Sequence, residues 1–166
     1  MRDAGFLAIT VLMVSLLQVT SVGFLVPMDY KPDLMLVAVI WASLRVRLEA
    51  GMGFAFCSGL VMDFLSGAPT GLFALIYSVS FVACGFLNST FVIDRAGGRM
   101  LAAWMATMIA GIAVMVMNWI SGPIELGTAN VLPLVAKSTT TGLACLLLFP
   151  VLDKMHNGFS RLIGAE

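Results

Sequence analysis

Residues 51–72 read GMGFAFCSGLVMDFLSGAPTGL, an apolar helical stretch that runs into a tight turn. Gly51, Ala55 and Gly59 recur at steps of four residues, which places them on one face of a helix as a stripe of small side chains. Such a stripe lets another helix approach closely, as helix packing inside a membrane requires. The stripe leads to Asp63, a carboxylate that is costly at the edge of hydrocarbon unless it is paired, hydrated or used.

The composition of the chain is that of an integral membrane protein. Hydrophobic residues make up 60% and charged residues 11% of its 166 residues, and the mean hydropathy is +1.03. A soluble domain of this length needs far more polar surface to face water. Long uncharged runs separate small groups of charged residues, and about 20 apolar residues suffice to cross a bilayer core of roughly 30 Å.

Six transmembrane helices account for these runs and leave no room for an extramembrane domain. We therefore expect an all-α integral membrane protein, a compact bundle that forms a single transmembrane domain over residues 1–166. The second and third helices are short, so a re-entrant pair with four spans is the alternative to two short spanning helices with snorkelling arginines. The expected helices cover about 4–28, 33–48, 50–65, 68–93, 100–124 and 131–152.

The basic residues predict the orientation of the bundle. If the N-terminus is cytoplasmic, seven basic residues lie inside and only Lys31 lies outside, with Lys137 left out as intramembrane. Cytoplasmic segments carry the excess of Lys and Arg in membrane proteins, so we expect both termini in the cytoplasm. The seven inside residues are Arg2, Arg45, Arg47, Arg95, Arg99, Lys154 and Arg161.

Polar side chains inside the expected helices gather toward the outer side of the membrane. Gln18, Asp63, Asn118 and Lys137 fall in one outer slab, with Asp33 at its boundary. One interpretation is a structural cluster of hydrogen bonds or ion pairs, because an unpaired ammonium group is expensive there. The other is an outward-facing cavity that takes a small ligand or a side chain of a partner.

The turn after the third helix is the second polar feature. Its glycines supply backbone freedom and its proline supplies rigidity. We expect Asp63 either to accept hydrogen bonds from this turn or to pair with Lys137, fixing the outer end of the third helix against the sixth. The turn residues are Ser66, Gly67, Pro69 and Gly71.

The sequence lacks the residue combinations that common catalytic sites require. Cys57, Cys84 and Cys145 lie inside expected helices without CxxC spacing, so we expect them to be packing residues. His156, the single histidine, falls in the C-terminal tail, where we expect a solvated surface residue. No nucleophile–base pair, zinc motif or phosphate-binding glycine loop occurs. We expect no catalysis, cofactor, metal or nucleic-acid partner.

A series of short motifs runs from Pro32 to Leu75. It comprises Pro32-Asp33-Leu34, Trp41, Gly51, Gly53-Phe54, Gly59-Leu60, Asp63-Phe64-Leu65-Ser66-Gly67, Pro69, Gly71-Leu72 and Ala74-Leu75. Together these motifs resemble the rod shape-determining protein MreD family, the membrane subunit of the bacterial cell-elongation machinery. The fold of that family resembles the substrate-binding S components of energy-coupling-factor vitamin transporters, so such a component is the alternative function.

The resemblance implies a non-enzymatic, multi-pass protein of the bacterial inner membrane. Members of the family associate with MreC, a single-pass periplasmic scaffold, and through it with MreB filaments and the peptidoglycan polymerase and transpeptidase. The stripe of Gly51, Ala55 and Gly59 then has two interpretations, which are helix packing within the chain and docking of a partner helix. Ala4 and Ala8 form a weaker small-residue pair of the kind by which S components meet their coupling partner. A homodimer is a further assembly that we consider.

Overall fold

The computed structural model describes residues 2–25, 31–66, 70–90, 96–121 and 131–162. Those residues form six α-helices, and three of them contain segments long and apolar enough to cross a membrane. The all-α class is thus confirmed, and the apolar helices support a membrane location. The helices are α1 (Arg2–Leu25), α2 (Leu34–Arg45), α3 (Leu48–Ser66), α4 (Leu72–Thr90), α5 (Ala96–Ser121) and α6 (Val131–Leu162).

Helix α2 lies at the centre of the bundle, and each of the other five helices packs against it. Every side chain from Met35 to Ala42 is buried, with an exposed fraction of 1% or less. A helix that is apolar all round is one that is buried on every side. Its 12 residues span about 18 Å, which is shorter than a hydrocarbon core of roughly 30 Å.

The expected second helix, 33–48, ends earlier in the structure. Val46 has extended backbone, with φ −110° and ψ 151°, and its N–H closes the last turn on the carbonyl oxygen of Ala42. Helix α3 then begins at Leu48 and continues to Ser66. The connection between the two helices is therefore very short, and the helices lie side by side.

Helices α3 and α4 pack closely because the small-residue stripe of α3 faces α4. Gly59 lies directly against the backbone of Ala74, and Gly51 lies against the ring of Phe81. Ala55, between the two glycines, is fully buried. Of the two interpretations of the stripe, the structure therefore shows packing within the chain, since α4 already covers this face.

Helix α6 is longer than the segment expected at 131–152. It passes through Pro150 and continues to Leu162. Leu152 is buried, and Met155 and Phe159 pack against the core at half-buried positions. These apolar side chains keep one face of the helix on the bundle, which explains why the helix does not end where the polar residues begin.

The alternating direction of the helices defines two ends of the bundle. The Arg45 end contains the first residues of α1, α3 and α5 and the last residues of α2, α4 and α6. The Asp33 end, opposite to it, contains the start of α2, α4 and α6. Two polar clusters among the described residues lie at these two ends.

Candidate functional site at the Asp33 end

Asp33 caps the first turn of α2. Its Oδ1 accepts a hydrogen bond of 3.0 Å from the backbone N–H of Leu36, and only 2% of the residue is exposed. The first N–H groups of a helix have no partner inside the helix, and a carboxylate supplies both an acceptor and a charge that suits the helix dipole. Asp33 thus fixes the start of the central helix.

Side chains from two further helices converge on Asp33. The hydroxyl of Tyr77 in α4 lies 2.8 Å and 2.9 Å from the two carboxylate oxygens and donates to them. The Oγ1 of Thr141 in α6 accepts from the backbone N–H of Asp33 at 3.0 Å and donates to the carbonyl oxygen of Lys137 at 2.8 Å. Tyr77 and Thr141 are both fully buried. Asp33 therefore ties α2, α4 and α6 together.

Asp63 plays the same part for α4, although it belongs to α3. Its Oδ2 accepts from the N–H of Gly71 and its Oδ1 from the N–H of Phe73, each at 2.8 Å. Gly71 has φ +99°, a left-handed conformation that favours glycine. The residue is 2% exposed. Both oxygens of the carboxylate are thus engaged by the start of the next helix.

Gln18 connects α1 to the same region. Its side-chain carbonyl oxygen accepts from the N–H of Met35 at 3.2 Å, and its amide nitrogen donates to the sulfur of Met62 at 3.7 Å. The first contact satisfies another free N–H of α2, and the second reaches the helix that carries Asp63. Five helices therefore contribute to one polar cluster, whose members are Gln18, Asp33, Asp63, Tyr77 and Thr141.

The structure shows which of the two expected partners, the turn after α3 or Lys137, bonds to Asp63. Asp63 and Lys137 both lie in the described part of the chain, and they form no ion pair. The interpretation in which this pair fixes α3 against α6 is therefore wrong, because Asp63 bonds to the start of α4 instead. Lys137 is half-buried.

Of the predicted turn residues, Ser66 is exposed at the end of α3, where its hydroxyl donates to the carbonyl oxygen of Asp63 at 3.5 Å. Gly67, Pro69 and the side chain of Asn118 lie outside the described residues.

The sequence analysis did not single out Tyr77 or Thr141. Each has a feature in the sequence that could have indicated its role. Tyr77 is one of two tyrosines in the chain and interrupts a strongly apolar helix; a buried tyrosine hydroxyl requires a partner. Thr141 ends a run of four hydroxyl residues, 138–141, inside the last helix.

The Arg45 end carries a second cluster around Asp153 of α6. Its Oδ1 accepts from the indole N–H of Trp41 at 2.8 Å and lies 3.3 Å from Nε of Arg45. His156 packs beside it, with ring centroids 5.1 Å from Phe6 and 5.6 Å from Trp41. His156 is half-buried and so less solvated than expected, because α6 continues and brings this residue onto the aromatic rings.

The geometry of both clusters favours a structural role. Each buried carboxylate of the Asp33 end already accepts hydrogen bonds from helix N–H groups, a role that stabilises the ends of helices. Among the residues that the structure describes, no group of three His, Cys, Asp or Glu side chains could hold a metal ion. Cys84 and Cys145 are buried, whereas Cys57 is exposed on the outer face of α3.

The family model of rod shape-determining protein MreD matches residues 3–157. The chain belongs to the MreD family. This MreD-family protein is thus a membrane protein of the system that determines rod shape, and its role lies in cell morphogenesis. The match extends well beyond the Pro32–Leu75 segment on which the resemblance first rested. The chain matches no curated protein and no solved structure.

Proposed function

We propose that this protein is the multi-pass inner-membrane subunit of the rod complex that binds an MreC-like scaffold protein and has no catalytic activity of its own. The match to the MreD family over residues 3–157 carries the proposal. Through the scaffold, the protein acts with MreB and with the polymerase and transpeptidase of lateral peptidoglycan synthesis. The chain forms one transmembrane domain over residues 1–166.

The proposed topology has six spans and places the Arg45 end in the cytoplasm. Exposed Arg47 and Lys154 lie at that end, and cytoplasmic segments are enriched in such residues. The Asp33 end then faces the periplasm, where the scaffold has its main domain. In this orientation the cluster at the Asp33 end fixes the shape of the periplasmic surface, since it anchors the first turns of α2 and α4.

Reporter fusions test the topology directly. Fusions after Glu49, Arg99 and Glu166 should report the cytoplasm, and fusions near Pro32 and Thr128 should report the periplasm. A periplasmic C-terminus would contradict the proposed orientation. A periplasmic signal after Glu49 alone would favour four spans, with α2 and α3 as a re-entrant pair.

A pull-down in mild detergent from the source bacterium tests the partner. Recovery of an MreC-like protein is the expected result, whereas recovery of ATPase and coupling subunits would assign the chain to an S-component-like transporter. Asp63→Ala should reduce recovery of the scaffold and give rounded cells, because it releases the start of α4. Glu49→Ala removes an exposed carboxylate at the opposite end and should leave both unchanged.

A further inference from the structure

Helices α4 and α5 leave an apolar groove between them, with a volume of about 590 Å³. Small residues such as Ala83 and Ala106 form part of its lining, and larger side chains such as Leu87, Leu101 and Ile109 line it further. The side chains of Leu101 and Ile109 are 61% and 58% exposed. The groove therefore opens on the outer surface of the bundle, where the acyl chains of the bilayer lie.

The length of the groove suits an extended hydrocarbon chain. Its lining runs from Leu75 to Leu87 in α4 and from Gly98 to Ala113 in α5. At 1.5 Å per residue these segments rise by roughly 18 Å and 22 Å. One leaflet contributes about 15 Å of the hydrocarbon core. A chain that enters at the Arg45 end can thus lie in the groove over its whole leaflet.

A positive charge lies where the groove reaches the Arg45 end. Arg99 follows Gly98 of the lining, and its guanidinium carbon is 4.8 Å from the centroid of the Phe149 ring. This contact holds the half-buried guanidinium between α5 and α6, one residue along α5 from the lining of the groove. Exposed Arg47 and Lys154 add to the positive potential at the same end. Basic sites between transmembrane helices are a known setting for anionic lipid headgroups.

We propose that the α4–α5 groove binds a phospholipid with an anionic headgroup, one acyl chain lying in the groove and the phosphate contacting Arg99. Charge complementarity selects this occupant, because a lipid joins an apolar chain to a negative group at the matching end. A helix without an acidic residue would fill the apolar groove but leave the charge of Arg99 unmatched.

Lipid titration of the full purified chain tests whether the charge of Arg99 gives a preference for anionic headgroups. The protein in detergent is titrated with palmitoyl-oleoyl phosphatidylglycerol or with the matching phosphatidylcholine. Native mass spectrometry measures lipid binding, and thermal unfolding measures the Tm. Phosphatidylglycerol should bind about fivefold more tightly and raise the Tm more. Arg99→Gln should remove this preference, and Arg99→Lys should retain it. Arg47→Gln removes a charge that does not border the groove and should lower the preference far less than Arg99→Gln does.

A second pair of variants tests the groove without touching the charge. Ala83→Phe fills the groove and should weaken binding of both lipids, whereas Ala8→Phe, at an exposed position of α1, should not. Equal binding of the two lipids to the wild-type chain, or unchanged binding in Ala83→Phe, would overturn the proposal. A doubled mass in light scattering that Ala83→Phe abolishes would overturn it too, in favour of a second copy.

Discussion

Replacing Asp63 by alanine removes the acceptor of two backbone N–H groups. The N–H of Phe73 is buried, so its loss of a partner costs about 1–3 kcal/mol. The N–H of Gly71 is partly exposed and can turn to water, which leaves about 1 kcal/mol for the lost cap. We therefore expect Asp63→Ala to lower the free energy of unfolding by roughly 2–4 kcal/mol.

Thermal unfolding in detergent micelles measures this loss, and a double-mutant cycle with Lys137→Ala tests its cause. Because the two side chains form no ion pair, the two losses should add within about 0.5 kcal/mol. Glu49→Ala removes an exposed carboxylate and should stay within about 0.5 kcal/mol of wild type. A coupling energy above about 1 kcal/mol between Asp63 and Lys137, or an unchanged unfolding free energy in Asp63→Ala, would refute the capping argument.

Three further predictions concern packing and buried hydrogen bonds, all measured by the same unfolding assay. Gly59→Ala should destabilise by about 1–3 kcal/mol because the added methyl meets the backbone of α4, whereas Gly53→Ala, where the added Cβ has open space, should stabilise by about 0.5–1 kcal/mol; the reverse order would contradict the packing. Tyr77→Phe should cost about 1.5–3 kcal/mol, since the buried carboxylate of Asp33 loses a donor, and an effect below about 0.5 kcal/mol would exclude that bond. Asp153→Ala should cost about 1–3 kcal/mol and Asp153→Asn much less, because only asparagine keeps an acceptor for the indole; equal losses would assign the effect to charge.

Local pattern predicted the features that depend on neighbouring residues. The spacing of Gly51, Ala55 and Gly59 predicts a face for close packing, and the turn after Asp63 predicts an acceptor for its N–H groups. Both are visible in the sequence because each depends on residues within about ten positions of one another. The identity of the packing partner, α4, could not be read in the same way, since several apolar helices could have filled that place.

The C-terminal boundary of α6 could not be predicted from the sequence. Asp153 and His156 begin a more polar segment, and on hydropathy alone the helix was expected to end at 152. Tertiary contacts with another helix extend it. Asp153 accepts from the indole of Trp41, and His156 packs on the same ring. A buried indole N–H needs an acceptor, but the sequence does not show which distant carboxylate supplies it.

The depth of the polar cluster follows from the length of α2. A helix of about 18 Å cannot reach both surfaces of a hydrocarbon core of roughly 30 Å, so at least one of its ends lies inside the apolar layer. Water does not satisfy free N–H groups there, and each unsatisfied group costs several kcal/mol. Asp33 and Gln18 supply acceptors to the first turn of α2. The polar residues at the Asp33 end therefore supply the acceptors that a short, buried central helix requires if this end lies inside the apolar layer.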